Sequence, residues 1–163
     1  MFADGFLSAY MFEILGLLVT IAGIWFVVQQ LRESKLASQM EGILMLQDHW
    51  ERIIEDRGLL WDMTMTNDDW DTYSAKMAYK AVYDDKDVRD SFLRVANFFD
   101  TIGTLVIGKS LDKKLAYHQY NLVLCPLYDK FEIVLSVDRK AQKNARIFEN
   151  WEWIRKEFKK MDG

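Results

Sequence analysis

The length, composition and charge of the chain restrict its class. It has 163 residues, of which 50% are apolar and 14% aromatic, with one proline, so it can bury a core and is not intrinsically disordered. This length allows one compact domain, or a short anchor followed by a smaller domain. The formal net charge of -4, without a terminal tail of one sign, argues against a nucleic-acid polymer as the partner.

Residues that commonly bind metals or act as nucleophiles are scarce. The single cysteine, Cys125, excludes an internal disulfide. The two histidines, His49 and His118, are too few to complete a structural zinc site with it. His118 and Cys125 lie about two helical turns apart, roughly 10 Å, which is too far for a direct thiol–imidazole hydrogen bond. We therefore expect no cofactor, no metal and no enzymatic activity.

An apolar run near the N-terminus predicts a transmembrane helix. As a helix, residues 6–28 would span about 34 Å, close to the thickness of a bilayer's hydrocarbon core. The apolar side chains point all round this helix, whereas a helix buried in a soluble bundle would show a stripe. No Lys or Arg precedes the run, so a cleaved signal peptide is not expected. We assign residues 1–30 as a transmembrane anchor that contacts the lipid bilayer.

The basic residues beyond the run predict its orientation. Arg32 and Lys35 follow directly, and Lys and Arg accumulate on the cytoplasmic side of membrane helices. The N-terminus is therefore expected outside, and the C-terminal domain in the cytoplasm. The predicted location is the inner (plasma) membrane, in a single-pass topology.

One face of the predicted membrane helix is small and polar. Glu13 would lie about 10 Å inside the outer end of the span, where an anion facing hydrocarbon is costly. Steps of three and four residues from it give a continuous face, which we call the seam: Ala9, Glu13, Gly16, Thr20, Gly23 and Val27. Small residues let helix backbones approach closely, so we predict contact with a second copy or another membrane protein. Alternatively, Glu13 extends to the outer headgroups, or several copies line a pore.

The rest of the chain predicts helices almost without interruption. Apolar residues recur at spacings of three and four, and no alternating strand pattern of any length appears. We predict an all-α fold in which the membrane helix continues as a helical stalk over residues 31–60 and leads into a cytosolic bundle of about four to five helices over residues 61–163. The clearest apolar stripe lies in residues 85–109 and predicts a core helix: Val88, Phe92, Val95, Phe99, Ile102 and Val106.

Capping residues and the single proline predict where helices begin and break. Thr66 or Asn67 is expected to cap a helix whose first turn holds the aspartates that follow. Ser110 is expected to cap the helix that follows the predicted core helix of residues 85–109. Pro126 is expected to kink or divide that helix. A last helix is expected over residues 144–160.

Three segments together resemble a known family: "NFFDTIGTLVIGKSLD", "CPLYDKF" and "IFENWEWIRKEF". The chain resembles an uncharacterised bacterial family with one N-terminal transmembrane helix and a cytosolic all-helical domain of unknown function. The resemblance implies this architecture and assigns no active-site residue. The architecture also resembles, more distantly, small membrane effectors of bacterial antiviral systems.

Four basic residues near the C-terminus form a candidate anion-binding patch: Arg139, Lys140, Lys143 and Arg146. Such a patch would take a small anionic ligand, for example a nucleotide or an anionic headgroup. The alternative is a solvated helix junction.

Two functions fit these features. The first is a non-catalytic, membrane-anchored interaction module, either a scaffold or an accessory subunit, that assembles through its transmembrane helix. The alternative is a homo-oligomeric membrane effector or channel whose cytosolic domain senses a ligand or partner, for example in antiviral defence.

Overall fold

The fold is helical throughout the described part of the chain. The computed structural model describes the backbone of residues 3–66 and 69–162, and the side chains of 19–66 and 69–162 apart from those of residues 35 and 38. Six α-helices lie in these ranges, with no strand: α1 (Ala3–Arg52), α2 (Ile54–Trp61), α3 (Ala75–Tyr83), α4 (Lys86–Ile107), α5 (Lys113–Ala141) and α6 (Glu149–Asp162). A π-helical turn, Asp62–Thr66, and a 3-10 turn, Trp70–Thr72, separate α2 from α3. The predicted all-α class is confirmed.

The chain divides into two compact units, Met1–Glu41 and Gly42–Gly163. The first contains the N-terminal part of α1. The second contains the end of α1 and all of α2 to α6. The boundaries predicted at residues 30 and 60 followed the end of the apolar run and the expected end of the first helix, whereas these units follow contacts within the fold.

The side chains described in the first unit are mostly exposed. Between residues 19 and 28 every side chain is exposed. Over the described residues, no helix meets both the length and the hydropathy that a bilayer crossing requires. The predicted span of residues 6–28 includes residues 6–18, which lie outside the described side chains, so the transmembrane helix remains a prediction from sequence.

The core of the second unit is built on α4. Of the six residues in its predicted stripe, Phe92, Val95, Phe99 and Ile102 are fully buried, and the stripe is confirmed as core. The helix begins where predicted because the Asp85 carboxylate accepts hydrogen bonds from the backbone N–H groups of residues 87 and 88. The α4 helix contacts each of α2, α3, α5 and α6.

Helices α4 and α6 approach each other most closely at Gly103. A Cβ atom placed on Gly103 would lie 2.3 Å from the carbonyl oxygen of Asn150, so only glycine fits this contact. One turn earlier, the Asp100 carboxylate accepts hydrogen bonds from the backbone N–H groups of Asn150 (2.9 Å) and Trp151 (3.1 Å). A side chain of α4 thus caps the N-terminus of α6. The buried Trp151 indole then donates to the carbonyl of Leu124 in α5 (3.3 Å).

Several predicted helix ends are wrong. Ser74 caps α3, so the helix starts well after Thr66, and Asn67 lies outside the described residues. Asp112, not Ser110, caps α5 through the backbone N–H of Leu115 (3.0 Å). In each case a second Ser or Asp lay nearer the periodic segment.

Pro126 does not divide α5. The helix runs unbroken from Lys113 to Ala141 with the proline inside it. Leu124 and Leu127, on either side of Pro126, are fully buried, so packing against the core offsets the loss of one backbone hydrogen bond. The predicted division near Cys125 is therefore wrong.

Candidate functional site

Arg139, the first residue of the predicted basic patch, makes its contacts within the fold. Its guanidinium donates to the carbonyl of Ile147 (2.9 Å) and to the carboxylate of Glu152 (2.7 Å). A longer bond reaches the carbonyl of Phe148 (3.4 Å). These contacts join the end of α5 to the following loop and to α6. Arg139 is therefore a structural clamp with little capacity left for a ligand.

The other three residues of the patch are exposed. Lys143 has a left-handed backbone, with φ 52°, in the loop between α5 and α6. The Arg146 guanidinium lies 3.8 Å from the Glu149 carboxylate, a surface pair that is worth little. The patch as an anion site stays a prediction, and Lys140, Lys143 and Arg146 are its available members.

Half of the predicted seam, namely Ala9, Glu13 and Gly16, has side chains outside those that the structure describes. The other three members, Thr20, Gly23 and Val27, are exposed. A Cβ atom placed on Gly23 would meet nothing within 4 Å. In the isolated chain, therefore, no packing requires a glycine at this position.

The exposed residues around the seam form a large apolar surface on α1. We call it the apolar α1 surface: Val19, Ile21, Ile24, Trp25, Phe26, Val27, Val28 and Leu31. Each of these side chains is more than half exposed. Contiguous apolar exposure of this kind marks a membrane or protein contact.

The buried Asp138 has a structural explanation. The residue is 2% exposed, and its carboxylate accepts a hydrogen bond from the Gln142 amide nitrogen (2.9 Å). Burial, and then the nearby Asp138 carboxylate, raises the pKa of the Tyr83 phenol. Asp138 lies between α3 and α5 and lines neither of the two clefts described next.

A first cleft lies between the end of α1, α2 and α4. It has a volume of about 450 Å³, and we call it the Asp56 cleft. The Arg94 guanidinium binds both Asp56 oxygens (2.7 and 2.8 Å), and the Ser91 hydroxyl donates to the same carboxylate (2.7 Å). Hydrogen bonds from Arg94, and also from Ser91, hold the pKa of Asp56 below its ordinary value against the opposing effect of burial. The charges of this cleft are satisfied internally.

A second cleft lies between α2 and the middle of α5. We call it the Arg57 cleft; its volume is about 320 Å³ and its lining residues are Ile54, Arg57, Gly58, Trp61, Asp62 and Val123. The Arg57 guanidinium carbon lies 3.4 Å from the centroid of the Trp50 ring, a cation–π stack. One Arg57 nitrogen, Nη2, donates to the Trp50 carbonyl (3.3 Å). The Nε of Arg57 is buried and has no acceptor in the described part of the chain.

Sequence reasoning missed Arg57. Trp50 and Arg57 are seven residues apart, two helical turns, which places them on one face. That spacing is a usable signal, but the helix break at Ile53 that brings α2 under Trp50 was not predicted. The sequence also gave no sign that Arg57 would lack a carboxylate partner.

The described residues hold little other chemistry. They contain no group of three or more metal-ligating side chains. Cys125 is buried, and burial raises the pKa of its thiol to about 11, which suppresses the reactive thiolate at neutral pH.

The fold and these sites define an all-helical protein whose polar groups mainly serve helix packing. The chain belongs to the family described as a domain of unknown function, DUF4760, whose model matches residues 11–158. No curated protein and no solved structure shows a significant match. Membership of an uncharacterised family is confirmed, and the transmembrane helix expected for that family stays a prediction.

Proposed function

We propose that this DUF4760 protein is a non-catalytic, membrane-anchored interaction module, a scaffold or accessory subunit whose partners are the lipid bilayer and a second copy or another membrane protein. Its N-terminus lies outside the inner membrane of a bacterium, and its helical domain lies in the cytoplasm. Assembly takes place along the seam.

The apolar α1 surface carries this proposal. Its side chains, including Trp25 and Phe26, are exposed on all sides of the helix, and such exposure in water is unfavourable. Lipid and a partner helix together would cover it. The sequence from residue 6 to residue 18 extends the same apolar character, and the family match begins at residue 11, inside the run.

The seam is tested by enlarging one of its small residues. Because a Cβ on Gly23 meets nothing within the chain, Gly23→Leu should leave the monomer folded and act only through a partner helix. We expect native mass spectrometry of the nanodisc-extracted wild type to show a defined oligomer, and Gly23→Leu to dissociate it.

The matched control is Ala22→Leu, which adds the same bulk one residue off the seam and should leave the oligomer intact. A monomer in all three proteins would exclude self-association through this face. Dissociation by both variants alike would show that the contact does not follow the seam.

The alternative function, a homo-oligomeric effector or channel that senses a ligand, is favoured by one observation, the unpaired Arg57 beside a cleft. The two functions differ at Glu13. An interaction module tolerates Glu13→Gln as long as the helix inserts, whereas a channel lined by Glu13 changes its ion leakage in liposomes.

A further inference from the structure

The arginines of the described chain are matched to carboxylates, with two exceptions. Ion pairs involve six of them: Arg52, Arg89, Arg94, Arg139, Arg146 and Arg155. The two others are Arg32, which is exposed, and Arg57, which is half-buried. Arg57 is thus the one non-exposed arginine without a carboxylate among the described residues.

This isolation of Arg57 is unusual because removing a charge from water without a counterion is costly. Its stack on Trp50 and its single bond to a carbonyl replace part of the lost hydration. Burial lowers the pKa of Arg57, and no carboxylate acts against it. An anion bound beside the guanidinium would supply the missing compensation.

The cleft beside Arg57 has walls suited to an apolar body. Trp61 is half-buried and Ile54 is 60% exposed, and both line the cleft together with Val123 of α5. At the position of Gly58 no side chain fills the space, since a Cβ there would meet nothing within 4 Å. The volume of about 320 Å³ lies within the range of small-molecule sites.

The charge of the cleft limits the ligand further. Asp62 is exposed and lines the same cleft, so it repels any anion, and a doubly charged phosphate or a nucleotide more strongly than a singly charged carboxylate. A carboxylate carries one negative charge and matches the planar guanidinium.

We propose that the Arg57 cleft binds a small monocarboxylate with an aromatic or apolar body, whose carboxylate pairs with the Arg57 guanidinium and whose body lies against Trp61 and Ile54. This site is distinct from the basic patch at Arg139 and does not depend on membrane anchoring.

The test is isothermal titration calorimetry of the full chain in nanodiscs, with empty nanodiscs as the background. The probes are benzoate and indole-3-acetate, their neutral amides benzamide and indole-3-acetamide, and phenyl phosphate. We expect both acids to bind saturably, and the amides and phenyl phosphate to bind about tenfold more weakly or worse.

Two variants address the site from different sides. Arg57→Gln removes the charge, and Gly58→Leu fills the cleft without a clash in the chain; both should weaken acid binding by about tenfold or more. Arg52→Gln is the control, because Arg52 is exposed, pairs with Asp48 and does not line this cleft. If Arg57→Gln fails to fold, Gly58→Leu decides the result.

Three results would overturn the proposal. One is the absence of saturable binding by either acid. Another is equal binding of an acid and its amide, or of benzoate and phenyl phosphate. The third is acid binding that survives in Gly58→Leu, or in a folded Arg57→Gln.

Discussion

At the scale of the single residue, Gly103 determines how the bundle closes. Any side chain there would meet the carbonyl of Asn150 at 2.3 Å, and a backbone atom held by the Asp100 cap cannot move aside easily. The glycine therefore sets the distance between α4 and α6, although it makes no polar contact itself.

Gly103→Ala should destabilise the protein. Alanine gains about 1 kcal/mol of helix propensity over glycine, but overpacking a tight contact costs about 3 kcal/mol. We expect a net loss of about 2 kcal/mol, measured by urea unfolding of the purified chain.

Gly58→Ala is the matched control for this prediction. Gly58 also lies within a helix, but its Cβ would meet nothing, so alanine should stabilise by roughly 0.5–1 kcal/mol. Equal effects at the two positions would contradict the role assigned to the α4–α6 contact.

At the scale of the elements, Glu152 of α6 holds the α5–α6 junction. Lys156, and then Arg139, hold the pKa of Glu152 at about 2, below its ordinary value of 4.5. A carboxylate whose pKa is lowered by folding stabilises the folded state above its unfolded pKa, and this contribution is lost as the pH falls. The loss is expected between about pH 4.5 and pH 2.

Glu152→Gln should therefore destabilise the protein at pH 7 and matter progressively less below pH 4.5. Thermal unfolding of both proteins across this range, followed by near-UV circular dichroism, measures the difference. Glu149→Gln, three residues earlier with a half-exposed carboxylate, is the control. A Glu152→Gln effect of the same size at pH 7 and pH 3 would contradict the prediction.

Helices with a clear apolar stripe were predicted more accurately than the others. The stripe of α4, from Val88 to Val106, agrees with the observed helix, and the structure adds the Asp85 cap at its start. The break of the first helix at Ile53 and the short turns before α3 were not predicted, because tertiary contacts and not local propensity fix them. Pro126 shows the same limit, since buried neighbours keep α5 continuous.

The surroundings of the candidate site residues could not be predicted from the sequence. A run of basic residues suggested the patch around Arg139, but the spatial neighbours that occupy its guanidinium, Glu152 and the carbonyls of the α5–α6 loop, are not visible in a linear pattern. For the same reason, the lack of a counterion at Arg57 appears only once the chain is folded.

At the scale of the whole molecule, the family resemblance has a physical basis. Two of its three segments, residues 97–112 and 147–158, contain Asp100, Gly103 and the residues they contact, Asn150 and Trp151. These segments form the contact between α4 and α6. The segments that suggested the family resemblance therefore include residues of a helix-packing contact.

The proposed topology can be read by cysteine labelling, because the only native cysteine is shielded. Cys125 is 7% exposed, and the pKa of its thiol is about 11, so a membrane-impermeant maleimide should leave it unlabelled at pH 7. In spheroplasts we expect Ala3→Cys to be labelled, and the exposed position Lys114→Cys to be labelled only after permeabilisation. The reverse pattern would invert the orientation, and labelling of the wild type would invalidate the assay.

The close contact at Gly103 also affects how a mutational scan of this protein should be interpreted. Substitutions at position 103 will lower the amount of folded protein, and those larger than alanine the most, so the position will score like an active-site residue. Gly58 will tolerate many substitutions under a selection for folding alone. If a selection for activity rejects large residues at Gly58 while the abundance of the protein is unchanged, Gly58 belongs to a functional site. Rejection of substitutions at Gly103, in contrast, reports only the packing of α4 against α6.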